Sequence, residues 1–133
     1  MYRLVAALLL TALSSSASAQ ANFGLVCSTQ NEPVPRLLKI NGLQLRGFDY
    51  GGQTWFLFSN AAVDADQISG NRVVGYTQDI FSVNRLDGSW NSTTDMNYKN
   101  SSRVSGVCVS KTEDEMNALA RSYLEQLNNS RAF

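Results

Sequence analysis

The sequence predicts an α+β fold: a curved antiparallel β-sheet of about five to seven strands with one C-terminal amphipathic helix packed on it. Three observations lead there. Turn dipeptides, Asn41-Gly42, Gly51-Gly52 and Asp87-Gly88, punctuate short apolar runs of strand length. After Thr112 the pattern changes, with Met116, Leu119, Ala120, Tyr123, Leu124 and Leu127 at helical spacing. Two cysteines, Cys27 and Cys108, stand near the ends of the intervening stretch, where one bridge would staple the domain.

The chain has 133 residues and opens with Arg3, an apolar run from Leu4 to Leu13, Ser14 to Ser16, and Ala17-Ser18-Ala19. Charge, apolar stretch and a small-x-small exit define a secretory signal peptide over 1–19, cleaved after Ala19. Ten helical residues cover only about 15 Å, half the apolar thickness of a bilayer, so this run does not serve as a membrane span. No later stretch is long enough to do so, and the mature form, residues 20–133, is expected to be a single domain without a membrane span.

In the mature chain, the apolar patch Phe23 to Val26 leads into Cys27. Pro33 and Pro35 then forbid helix and favour extended backbone. Around Asn41-Gly42 the expected hairpin sets Ile40 opposite Leu43 and Leu38 opposite Leu45, with Lys39 and Gln44 on the other face. Gly51-Gly52 turns the chain into Thr54 to Phe58, whose unbroken Trp55-Phe56-Leu57-Phe58 run suggests a strand covered on both sides. From Asn60 to Asn71 the residues become small and polar, predicting a loop with one helical turn at 61–65.

Strand character returns at Val73 to Tyr76 and at Ile80 to Leu86. The Asp87-Gly88 turn is expected to pair Leu86 with Ser89, Arg85 with Trp90, and Val83 with Ser92. Nine of the fourteen residues from Ser89 to Ser102 are Ser, Thr or Asn, which favours an exposed strand followed by a loop. Val104 to Val109 forms the last strand. Thr112-Glu113-Asp114-Glu115 is a capping box that starts a helix over 113–128, about 24 Å long. Placed over the concave face of the sheet, that helix would fill any pocket; placed across an edge, it would leave the face with Arg85 and Trp90 open.

Without Arg3 the chain holds ten basic and eleven acidic residues, scattered in sequence. No basic face for nucleic acid is expected from such a pattern. His is absent, which removes the commonest acid-base catalyst and a frequent metal ligand. The Asp64-Ala65-Asp66 start of a calcium loop fails downstream, because Ile68, Ser69 and Gly75 fall where an oxygen ligand, the turn Gly and the closing Glu belong. Neither a cofactor nor a metal is expected.

Export makes a Cys27–Cys108 disulfide the natural pairing, closing a loop of about 80 residues and contributing roughly 4 kcal/mol in the chain-entropy description. The candidate binding residues are Arg85, Trp90 and Tyr98: a cation opposite an indole, and two aromatics in the polar interval. No nucleophile or phosphate-binding motif accompanies them, so the chain is read as a non-catalytic binding or envelope-associated module. Its expected partner is an envelope or secreted protein. Two alternatives remain: a small hydrolase built on the carboxylates Asp64, Asp66 and Asp79, and, as what a likeness to periplasmic lysozyme inhibitors implies, a periplasmic enzyme inhibitor.

The order of signal peptide, early Cys27, Asn84-Arg85-Leu86-Asp87-Gly88 and Gly106-Val107-Cys108 resembles small exported proteins of proteobacteria. Those proteins carry an N/D-R-x-x-G hairpin upstream of a G-x-C strand. The resemblance implies periplasmic or secreted location and brings no activity with it. Periplasmic lysozyme inhibitors are a more distant likeness, small, exported and β-rich. Their inhibitory-loop motif is missing from this chain, so none of its residues takes an inhibitory role from them.

Overall fold

The computed structural model describes residues 22–96 and 100–130; the expected signal peptide at 1–19 and the candidate Tyr98 lie outside the described residues. Nine strands and one helix follow in order: β1 (Asn22–Ser28), β2 (Arg36–Asn41), β3 (Gln44–Asp49), β4 (Thr54–Leu57), β5 (Ser59–Val63), β6 (Gln67–Val74), β7 (Thr77–Asn84), β8 (Ser89–Met96), β9 (Asn100–Lys111) and α1 (Glu113–Ser130). They form one antiparallel sheet in the order β4-β3-β2-β1-β9-β8-β7-β6-β5. The two outermost strands are separated in sequence by Phe58 alone, and its amide donates to the Leu45 carbonyl on β3 at 2.9 Å. β4 and β5 thus act as one bent strand that pairs with β3 through its first half and with β6 through its second. A bulge between Ser59 and Ala62, with Asn60 at φ 52°, makes the bend. The sheet rolls into a nearly closed barrel.

Alternation decides what lies inside. Leu25 and Cys27 on β1, Leu38 and Ile40 on β2, Leu45 on β3, Ile68 on β6, Phe81 and Val83 on β7, and Trp90 on β8 fill the interior with Phe58. Cys27 stands opposite Cys108 across β1 and β9, and the two form the expected disulfide within this core.

The helix lies on neither the concave face nor an edge. It covers the convex outer surface, where Met116 and Ala120 pack with Leu37, Val26, Phe48 and Trp55. Met116 is fully buried against Gly24, at which any Cβ would collide with its side chain. Asn117 accepts from Lys39 Nζ and Glu113 from Asn41 Nδ2, both at 2.7 Å. These contacts explain the covered Trp55-to-Phe58 run: Trp55 faces the helix layer, Phe56 and Phe58 face inward, and Leu57 stays exposed. At the cap, the Thr112 hydroxyl donates to the Glu115 carboxylate at 2.8 Å instead of accepting from its amide.

Four sequence expectations are corrected. Ile40 pairs with Leu45 and Leu38 with Gly47, leaving Leu43 in the turn and 76% exposed. Only Gly42 takes positive φ, at 62°, which suits a two-residue loop with Gly first and shifts the turn one residue downstream. Second, residues 61–65 contain no helical turn: β5 occupies Ser59–Val63, because its small inward residues are what the barrel seam accommodates. Third, Val83 pairs with Trp90 and Phe81 with Ser92, since Asn84 Oδ1 accepts from the Leu86 amide and widens the turn to four residues. Fourth, the polar interval after Ser89 holds β8 and the first residues of β9, paired from Ser89↔Val107 to Met96↔Asn100, so the described residues form nine strands against an expected five to seven.

Candidate functional site

Strand direction places the connections 29–35, 50–53 and 75–76 at one end of the barrel, and the turns 42–43, 64–66 and 85–88 at the other. The second end is shut. There Arg85 lies 5.3 Å from the Phe23 ring centroid and donates through Nη1 to the Asp64 carbonyl at 2.6 Å, while its amide donates to the Asp66 carbonyl at 2.8 Å.

The first end holds a cavity of about 360 Å³, within the range of small-ligand sites. Phe56, Phe58 and Phe81 supply its apolar wall. Gly47 makes the room for this wall, since a Cβ there would come within 2.5 Å of Phe56. Inward alternation then brings charged and polar residues to the same end: Arg36 on β2, Asp49 on β3, Arg72 on β6, Asp79 on β7, and Ser92 on β8.

Arg72 donates to Asp49 at 3.1 Å, and its guanidinium lies 3.7 Å from the Phe56 ring centroid. Asp49 Oδ1 also accepts from the Gly51 and Gly52 amides, at 3.0 and 3.2 Å. The hydrogen bond from Arg72, helped by these amides, holds the Asp49 carboxyl below its ordinary range. Arg36 grips Glu32 through Nε and Nη2, at 3.1 and 3.2 Å, and lies 5.0 Å from the Trp90 centroid. Tyr50 donates to the Pro35 carbonyl at 2.6 Å and so ties the two rim loops together; burial, first of all, pushes its phenol upward.

Two inward side chains are less fully committed. Asp79 accepts from Thr94 Oγ1 across β7 and β8, and among the described residues it has no ion-pair partner. Ser92, only 1% exposed, lines the cavity with its hydroxyl unpartnered. Leaving a buried hydroxyl without a hydrogen bond costs about 1–3 kcal/mol, a cost a ligand in reach would remove.

The sequence-derived candidates do not converge. Trp90 is interior, 2% exposed, with Nε1 donating to the Ser28 carbonyl at 3.0 Å and its ring 5.6 Å from Phe81. Its cation is Arg36. Arg85 belongs to the shut end, because the wider turn moves it away from register with Trp90. Asp64 and Asp66 are exposed at that end too, across the barrel's length from Asp79, so the proposed carboxylate set is not assembled. Among the described residues no three His, Cys, Asp or Glu side chains group to hold a metal ion.

Sequence reasoning passed over Arg36, Asp49, Arg72, Asp79 as an interior group, and Ser92. The signal was parity. Arg72 shares the inward face of Ile68 and Gly70, and Asp79 that of Phe81 and Val83, so each is a charge in an apolar row.

A wider depression, about 700 Å³, runs along Ser28–Asn31 and Arg103–Val107. Its lining is mostly exposed, so it encloses a ligand less fully. Among the described residues no helix is long and apolar enough to cross a membrane. The fold and site together define a small antiparallel barrel with a helix on its outer face and a polar-rimmed aromatic cavity at one end. No family model and no curated protein matches the chain.

Proposed function

We propose that this is an exported, non-catalytic binding protein of the periplasm or the cell exterior, and that a small ligand enters the open end of its barrel. The observation that carries this reading is the unpartnered Ser92 hydroxyl, buried in a cavity walled by Phe56, Phe58 and Phe81. An aromatic wall supplies affinity and a few fixed polar groups supply orientation, the usual division of labour in a small-molecule site. Among the described residues the Ser92 hydroxyl is hydrogen-bonded to no base that would activate it as a nucleophile, which favours binding over reaction. The disulfide supports a non-cytoplasmic setting.

The test is a fragment survey on the isotopically labelled, oxidised domain beginning at Gln20, read by amide chemical shifts. Saturable shifts at Gly47, Phe56, Phe81 and Ser92 are expected. A chemically diverse set that moves none of them overturns the reading.

A protein partner is a second reading, favoured by the β6–β7 hairpin beside the cavity mouth. Val73, Val74 and Tyr76 there are 64, 58 and 87% exposed. Large exposed apolar side chains grouped at a hairpin tip suit a protein contact, including that of an enzyme inhibitor. Inhibition of a lysozyme by the wild-type domain, lost on Tyr76→Ser, supports this role. No inhibition by the wild type removes the lysozyme-inhibitor form of it.

A further inference from the structure

Resting on the cavity reading above, we infer that the ligand is a small organic ammonium ion, an amine head on an aromatic or aliphatic body, with Asp79 as its counter-ion and Ser92 as a second acceptor.

Charge in the cavity leads to this assignment. Glu32, Arg36, Asp49, Arg72 and Asp79 are its charged lining residues, three acidic and two basic. Both cations are already occupied: Arg36 holds Glu32 with two hydrogen bonds, and Arg72 lies between Asp49 and the Phe56 ring. An anionic ligand would have to break one of these pairs and bring a further negative charge beside Asp79. Arg72 stands opposite Asp79 across β6 and β7 but spends its guanidinium on Asp49, so a neutral ligand would leave Asp79 without an ion pair on the inner wall. A cation matches the remaining charge without disturbing either pair.

Register adds the geometry. Asp79 stands opposite Thr94, and Phe81 opposite Ser92, so Asp79 and Ser92 are diagonal neighbours on the inward face of β7 and β8. Diagonal positions lie about 7–8 Å apart at the backbone. One ammonium, donating at about 2.9 Å to each of two side chains, spans that separation. Thr94 already spends its hydroxyl proton on Asp79 Oδ1, and a carboxylate has further lone pairs with which to accept from an incoming donor. Ser92 then accepts from the same head, and its orphaned oxygen is satisfied. The body of the ligand packs on Phe56, Phe58 and Phe81, two of which are deep enough to be almost fully buried.

The experiment compares three probes of nearly equal shape, phenethylammonium, phenethyl alcohol and phenylacetate, titrated at neutral pH into the oxidised domain by calorimetry and amide shifts. The ammonium is expected to bind at least about tenfold more tightly than the alcohol, and more tightly still than the carboxylate, with shifts at Phe81 and Ser92. Asp79→Asn keeps an acceptor for Thr94. It is expected to bring the ammonium to the affinity of the alcohol while leaving the alcohol within about twofold. Alcohol or carboxylate binding as tightly as the ammonium, an unchanged ammonium affinity in Asp79→Asn, or no binding of any probe overturns the assignment. If Asp79→Asn does not fold, the ranking on the wild type decides alone. The diverse fragment survey judges the cavity itself, so shifts there beside a failed ranking refute only the ammonium.

Discussion

The two ends of the barrel are drawn from the same strands but filled by opposite rules. Toward the shut end, inward positions carry large apolar side chains such as Ile40, Leu45, Ile68 and Val83, and Arg85 closes over Phe23. Toward the open end, the same inward rows continue as Gly47 and Asp49, Arg72, Asp79, and Ser92 and Thr94. Each strand therefore changes character partway along while its parity stays constant. Packing dominates one end, where burying each large apolar side chain contributes about 1.5–3 kcal/mol. At the other end, charge and an unpaired hydroxyl are held in place at a cost. The difference teaches that stability and recognition are separated lengthwise in this barrel, so each can be perturbed with limited effect on the other.

The sharpest way to break that division is at Trp90, the largest fully buried side chain among the described residues, whose ring lies 5.6 Å from that of the cavity-lining Phe81. Trp90→Ala is expected to cost about 3–5 kcal/mol in chemical denaturation, and to leave the Ser28 carbonyl without its donor. Opening the Cys27–Cys108 bridge comes next. It spans 81 residues and sits in the packed interior. The paired Cys27→Ala and Cys108→Ala variant should lose roughly 2–4 kcal/mol. A loss much below that would mean the barrel seam, not the bridge, carries the constraint.

Ser92→Ala is expected to act with the opposite sign. Removing a buried hydroxyl that has no partner should raise stability by about 1 kcal/mol, while ammonium affinity falls. A loss of stability there would show that water satisfies the hydroxyl in solution and would weaken the contrast between the ends. Smaller again is Arg85→Ala. Loss of its contacts with Phe23 and the Asp64 carbonyl should cost about 0.5–1 kcal/mol and speed amide exchange at Asp64, with cavity shifts unchanged.

The local devices of the fold were legible in sequence, and the cavity at the open end was not. The capping box, helical stripe, turn dipeptides and disulfide are local or composition-driven signals, and each appears at or within a residue or two of its expected place. Register was not legible where a side chain reshaped a turn. Asn84 Oδ1 capturing the Leu86 amide carried Arg85 away from Trp90. Strand β5 escaped because its small residues form no apolar alternation; it exists to close the barrel, and closure is a property of the whole sheet. The cavity residues come from strands β2, β3, β4, β6, β7 and β8, so their convergence depends on the same long-range pairing.

The smallest expected effect tests whether the rim is held by charge. Asp49 is stabilised in its ionised form by Arg72 and by the Gly51 and Gly52 amides, so its folded-state pKa lies below its unfolded value of about 3.9. The stability this group contributes is therefore complete above about pH 4 and is lost as the pH falls through the lower folded value. Water screens the pair at the rim, where the Arg72 and Asp49 side chains are 27 and 32% exposed, so the contribution is only a few tenths of a kcal/mol. Asp49→Asn should flatten this small acid-side slope, and the Asp49 carboxyl carbon, followed by NMR, should titrate below the ordinary Asp range. Titration at the ordinary value would mean that Arg72 does not hold Asp49 in solution. Arg72 would then be free to meet Asp79, and the negative charge assigned to the cavity wall would already be neutralised.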